Sequence, residues 1–277
     1  CTFLTHITDR QAKIQLDKLD TMATLLTRYF GRGPKNRVEG FIVSDLSVWP
    51  EGVLTEPAGI AKIREGAGIC FTSSLGNQRR ATLYACDDHG VIQHECTHGF
   101  CSLAFGSTGP TWLAEGIAQY MYENADWDHW DTHRDMILRD RAIHDNLLTF
   151  TEMNTFGKKG IGNESTYNSG FALSTYIANE YGPESLKGIM TELSSPRQFS
   201  VNNAILNVLG VSGEDVYQDF KQAVEARYKR LVVPIEVLKV KGTPVRMDAT
   251  TNTYPKWHPK DNGFAYLSNK QNDYFGQ

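Results

Sequence analysis

Early in the chain, apolar residues recur at helical spacing between Asp9 and Phe30: Ile14, Leu16, Leu19, Met22, Leu25, Leu26, Tyr29 and Phe30. Gly31 and the Gly33-Pro34 pair end the run, so the pattern predicts a helix there. The period then changes. "RVEGFIVSDLSVW" predicts a strand running into a loop, and "GAGICFTSS" and "RRATLYACD" predict two strands joined by a turn around Gly76-Asn77. Helical spacing returns from Gly90 to Phe105. It continues over "TWLAEGIAQYMYENA", with Thr111 as candidate cap, and from about Trp130 to Asn146. "STYNSGFALSTYIANEYG", "PESLKGIMTELS" and "GEDVYQDFKQAVEARYKRL" predict three more helices. After Leu231 the texture becomes strand-like in "VVPIEVLKVKGTPVRM", then rich in turn formers and aromatic residues. This order predicts an α+β fold. A helix and a mixed sheet occupy 1–88, a mostly helical lobe 89–232, and a linker with further strands 233–277.

Composition narrows the classes of function. The chain has 277 residues, 40% hydrophobic and 22% charged, which suits one large core or two smaller ones. Its net charge is −4, and Lys and Arg form no run longer than pairs such as Arg79-Arg80. That argues against a nucleic-acid partner. No apolar run approaches the roughly 20 residues a membrane-spanning helix needs, so no transmembrane segment is expected. The five cysteines, Cys1, Cys70, Cys86, Cys96 and Cys101, are too few for a disulfide scaffold. Cys70 and Cys86 flank the expected hairpin and are placed to pair across it, whereas Cys96 and Cys101 read as buried apolar residues. Cys1 has the place of the lipid-anchored first residue of a mature bacterial lipoprotein. An arbitrary chain start explains it equally well.

The chemistry concentrates in "VIQHECTHGF". His94 and His98 are four residues apart, so on a helix they project from one face and can grip a single ion. Glu95 then lies beside that ion without having to be its ligand. Val91, Ile92, Phe100 and Leu103 make this helix apolar. Buried histidines and a buried glutamate need partners, and a divalent cation satisfies all three. The competing reading is two surface histidines. A third ligand is Glu115, 17 residues after His98. The "FGSTGP" break allows the chain to reverse, and Trp112, Leu113, Ile117 and Tyr120 would anchor the returning helix with Glu115 pointing inward. A solvent-facing Glu115 is the alternative. Two imidazoles and one carboxylate would leave the fourth tetrahedral position of one Zn²⁺ ion to water.

"HECTH" followed by "WLAEGIAQY" resembles the gluzincin metallopeptidases, the thermolysin-like clan, and is similar to the aminopeptidase N type and to peptidase MA-like bacterial domains. The resemblance runs from about Ala81 to Arg230. It implies a thermolysin-like fold and a polypeptide substrate, with His94, His98 and Glu115 as zinc ligands and Glu95 as catalytic base. It places Tyr167, in "YNSGFALSTYIANEYG", where the family carries an oxyanion-stabilising tyrosine. Packing above the helix is the other reading of Tyr167. By the same resemblance, Arg80 to Cys86 would form the sheet edge that pairs with substrate backbone. The chain lacks the Gly-x-Met-Glu-Asn segment that holds a free α-amine in the aminopeptidase N type. Gln119 stands where thermolysin-like enzymes often place a histidine-orienting acid.

The tail "YPKWHPKDNGFAYLSNKQ" resembles the first blade of TolB-type β-propellers, which implies a longer protein continuing into that domain. Such a protein would work outside the cytoplasm: secreted, periplasmic or at the cell surface. A second histidine pair, His129 and His133 in "DWDHWDTHRD", reads as a solvated helix start or a second metal site. Gly160 and Gly162 read as a mobile flap ahead of Tyr167. The rival to a peptidase is a catalytically weak zinc-containing binding or scaffold protein that acts through its propeller.

Overall fold

The structure, a computed structural model, describes residues 2–4, 7–43, 68–75, 78–106, 109–121, 132–158, 163–249 and 252–270. Strand β1 (Thr2–Leu4) leads into helix α1 (Asp9–Phe30), whose start is closed by a reciprocal cap between Thr8 and Gln11. Strand β2 (Val38–Val43) follows, then the antiparallel pair β3 (Gly68–Leu75) and β4 (Gln78–Cys86). The four strands form a mixed sheet in the order β1-β2-β4-β3, with β1 parallel to β2 and β2 parallel to β4.

The rest is helical: α2 (His89–Phe105), α3 (Thr111–Tyr120), α4 (Thr132–Ile143), a single 3₁₀ turn at Glu152–Asn154, α5 (Glu164–Tyr181), α6 (Ser185–Leu193), α7 (Val201–Leu209) and α8 (Gly213–Val237). A two-stranded antiparallel ribbon, β5 (Asn252–Trp257) and β6 (Phe264–Ser268), is the last element among the described residues. The fold is therefore α+β with a mixed N-terminal sheet.

One core links sheet and helices. Leu19, Met22, Leu26 and Phe30 of α1 join Ile42, Leu83 and Ala85 of the sheet. Ile92 and Phe100 of α2, Trp112, Leu113 and Ile117 of α3, Leu173 and Ile177 of α5, and Phe220 of α8 complete it. At about 1.5–3 kcal/mol per fully buried large side chain, this cluster is the main term opposing chain entropy. It holds α2 between the sheet and the other helices.

Five expectations from the sequence change. First, β4, containing Arg80 to Cys86, is not an edge. β2 and β3 flank it, and among the described residues β3 is the outer strand on that side, as β1 is on the other. Burial gives the reason: Ala81, Leu83 and Ala85 of β4 are buried, whereas Gly68 to Ser74 of β3 are half-buried or exposed. Second, Cys70 and Cys86 are free thiols, as are Cys96 and Cys101. The hairpin register sets Cys70 opposite Leu83, so Cys86 is out of reach. Third, Thr111 is the first helical residue and not the cap, which is Pro110. Fourth, "VVPIEV" continues α8 instead of forming a strand, and 238–247 carry no strand either. Fifth, α7 was not foreseen, although Ser200 caps its start and Gly210 its end. Cys1, Gly76-Asn77, Gly160 and Gly162 lie outside the described residues. No helix among the described residues is long and apolar enough to cross a membrane.

Candidate metal centre

Helix α2 begins where the Asp88 side chain accepts the Val91 N–H at 3.0 Å. That leaves His89 as the first helical residue, with its Nδ1 3.0 Å from Gln15 Oε1 of α1. Ile92, Thr97, Phe100, Cys101 and Leu103 are all buried, so α2 is enclosed by protein on most of its surface. Gly106 and Gly109 have φ of +77° and +76°. Only glycine adopts these values without strain, and they let the chain reverse so that α3 returns beside α2. Thr111 then ties the start of α3 down, its hydroxyl donating to Asn154 O at 2.7 Å.

The position of α3 is set mainly by α5. A Cβ at Gly116 would lie 2.3 Å from Ser174 Oγ and 2.4 Å from Gly170 O, and one at Gly170 would lie 2.4 Å from Trp112 O. The two helices thus cross backbone to backbone. Glu115 is adjacent to that contact, and Tyr167 lies three residues before Gly170 on α5. This one crossing places both side chains against α2.

Three donor atoms converge as a result. His94 Nε2 lies 3.1 Å from Glu115 Oε2, His98 Nε2 lies 3.3 Å from the same oxygen, and the two Nε2 atoms are 3.1 Å apart. Among the described residues this is the one group of His, Cys, Asp or Glu donors able to hold a metal ion. Tetrahedral coordination with bonds of about 2.0–2.1 Å requires donors about 3.3 Å apart. The triangle therefore fits a small divalent cation with little movement. Glu115 is buried and both imidazoles are half-buried, so the trio could hold an ion while remaining reachable from solvent.

Electrostatics agree with the geometry. Burial works against ionisation of Glu115, but His98 and His94 outweigh it and hold its carboxyl well below the usual carboxylate range. Burial also works against protonation of His98; the charge of Glu115 and its hydrogen bond prevail, and the imidazole is raised to about 9. Glu95 differs. Burial is the largest influence and raises its pKa, Glu115 adds to the rise, and His94, His98 and the Cys70 backbone N–H pull against it.

Glu95 is covered by the start of β3. A Cβ at Gly68 would lie 2.5 Å from Val91 Cγ1 and 3.0 Å from Glu95 Cγ. The outer strand therefore passes directly over the carboxylate. The Tyr167 ring centroid is 6.4 Å from that of His94. Phe156 stacks on Tyr167 at 5.4 Å and 28°, and the Arg134 guanidinium lies 5.9 Å from the same ring centre. Gln119 is buried, and its Oε1 meets no hydrogen-bond donor among the described residues.

The structure thus brings together His94, His98, Glu115, Glu95 and Tyr167. Gly68, Arg134 and Phe156 were not anticipated. Only Gly68 left a signal, a glycine entering a strand. His129, like the His133 side chain, lies outside the described residues, and Asp135 accepts the Tyr228 hydroxyl at 2.8 Å. Comparisons with protein-family profiles, curated proteins and solved structures return no match.

Proposed function

We propose that this protein is a zinc-dependent peptidase of the gluzincin type, with a thermolysin-like arrangement of sheet and helices around the metal. The convergence of His94, His98 and Glu115 to separations of 3.1–3.3 Å carries the reading. Glu95, buried next to that trio and covered by an outer strand, adds to it.

His94, His98 and Glu115 hold the cation in this account. Zinc, when bound, supplies Lewis acidity, bringing water's pKa toward about 7 and polarising the carbonyl. The remaining work falls to the chain. Glu95 takes a proton from the attacking water onto a carboxylate oxygen and delivers it to the leaving amide nitrogen. Tyr167 donates a hydrogen bond from its hydroxyl to the substrate oxygen as negative charge grows there. Strand β3, not β4, supplies the edge along which extended substrate backbone pairs.

In the ribbon, Trp257 and Phe264 rings pack at 5.4 Å, and Phe264 and Tyr266 at 5.6 Å. We take it as the start of a TolB-type propeller that presents substrates to the peptidase outside the cytoplasm. The test is cleavage of casein and quenched peptides by zinc-loaded protein, abolished by chelator and restored by zinc. Protein with verified zinc content that cleaves nothing would leave the scaffold reading in its place.

A further inference from the structure

A tyrosine that stabilises an oxyanion must hold its ring in one direction, because hydrogen-bond strength falls steeply with misalignment. Besides His94 of α2, two further groups outside α5 meet the Tyr167 ring. Phe156, just beyond the 3₁₀ turn, stacks on it at 5.4 Å, and the Arg134 guanidinium of α4 lies 5.9 Å from its centre. The Arg134 backbone is itself fixed to α5, its carbonyl accepting from Asn168 Nδ2 at 3.5 Å. Asn168 is the next residue after Tyr167 and is buried. The first turns of α4 and α5 therefore meet at this point through a side-chain-to-backbone hydrogen bond and a cation–ring contact. A cation against the phenol ring is attracted to its π-electrons, and its charge favours the negative charge that moves onto the phenol oxygen when the hydroxyl donates.

We propose that Arg134 is a positioning residue for Tyr167: with Phe156 it fixes the ring, and its charge strengthens the hydroxyl as a donor to the substrate oxyanion. The proposal rests on the reading of Tyr167 as that donor, and it makes the start of α4 part of the catalytic apparatus.

The experiment is a double-mutant cycle on zinc-loaded protein with a quenched peptide. Arg134→Gln should lower kcat about tenfold, the scale of a partly buried cation–π contact, while KM and zinc content stay as in the wild type. Arg134→Lys should recover part of the loss. In a Tyr167→Phe background, Arg134→Gln should cost nothing further. A full loss in that background would overturn the proposal, because Arg134 would then act on substrate or fold. A second readout needs no catalysis. In protein carrying ¹³C-labelled tyrosine, the Tyr167 ring resonances should shift in Arg134→Gln and return toward the wild-type position in Arg134→Lys. Unmoved resonances would overturn the contact whether or not the protein cleaves peptides. If Tyr167→Phe alone leaves kcat intact, the oxyanion role fails, and that failure is separate from the ring measurement.

Discussion

Glu95 is subject to opposing influences. Burial raises its pKa, while two imidazoles and a backbone N–H pull it down. Glu95→Gln keeps the volume and removes the proton-carrying function. The variant should bind zinc as the wild type does and lose about 10²- to 10⁴-fold in kcat; near-normal turnover would dismiss the general-base role. His98 leads to a prediction about pH. Glu115 raises its pKa to about 9, and an imidazole must shed its proton before it can ligate a metal. Below pH 9 proton and metal compete, so zinc affinity in chelator-competition titrations should rise with pH by up to tenfold per unit. It should level off above about 9, and a flat profile from pH 6 to 9 would contradict the assignment. At this scale much of the site was legible. His94 and His98 declare themselves because helical spacing is a local property, and Glu115 because glycines mark the reversal that returns it. Arg134 and Phe156 stayed hidden, since contacts made across loops leave no periodic trace.

Among the elements, the α3–α5 crossing carries the most consequence. Gly116→Ala would drive a methyl group into Ser174 Oγ and Gly170 O, and the second is backbone that cannot swing aside. The substitution should cost about 1–3 kcal/mol of stability, as overpacking typically does. It should also weaken zinc binding, because Glu115 is the next residue and moves with the helix. Thermal melts with a parallel zinc titration would show both; unchanged zinc affinity would mean that this crossing does not set the ligand. Most helices and strands followed from periodicity, α7 excepted, but strand order did not. "RRATLYACD" looks as suited to an edge as "GICFTSS" does, and only the parallel pairing of β2 from the other side makes β4 central. "VVPIEV" misleads because its β-branched residues favour strands. The helix capped at Ser212 is already nucleated, and Pro234 falls in its last turn, where the carbonyl deprived of a partner belongs to exposed Arg230.

For the molecule as a whole, the proposed metal is a clamp between α2 and α3 in a core that also includes the sheet. A ligand bound only by the folded state stabilises it by about 4 kcal/mol at a thousand times its Kd. Zinc should therefore raise the melting temperature, and His94→Ala should erase that rise. An equal zinc-dependent rise in His94→Ala would place the ion elsewhere. The whole-molecule class was legible from the order of elements, because a sheet-forming first third and a helical remainder leave few ways to share one core. The ribbon β5–β6 is too small to be stable alone in water. The three converging donors carry the proposed function, and X-ray absorption at the zinc edge of the purified protein probes them most directly. It should find one zinc per chain with two imidazole nitrogens and a carboxylate oxygen at about 2.0–2.2 Å, lost in Glu115→Gln. A first shell of sulfur at about 2.3 Å, or no stoichiometric zinc, would contradict it.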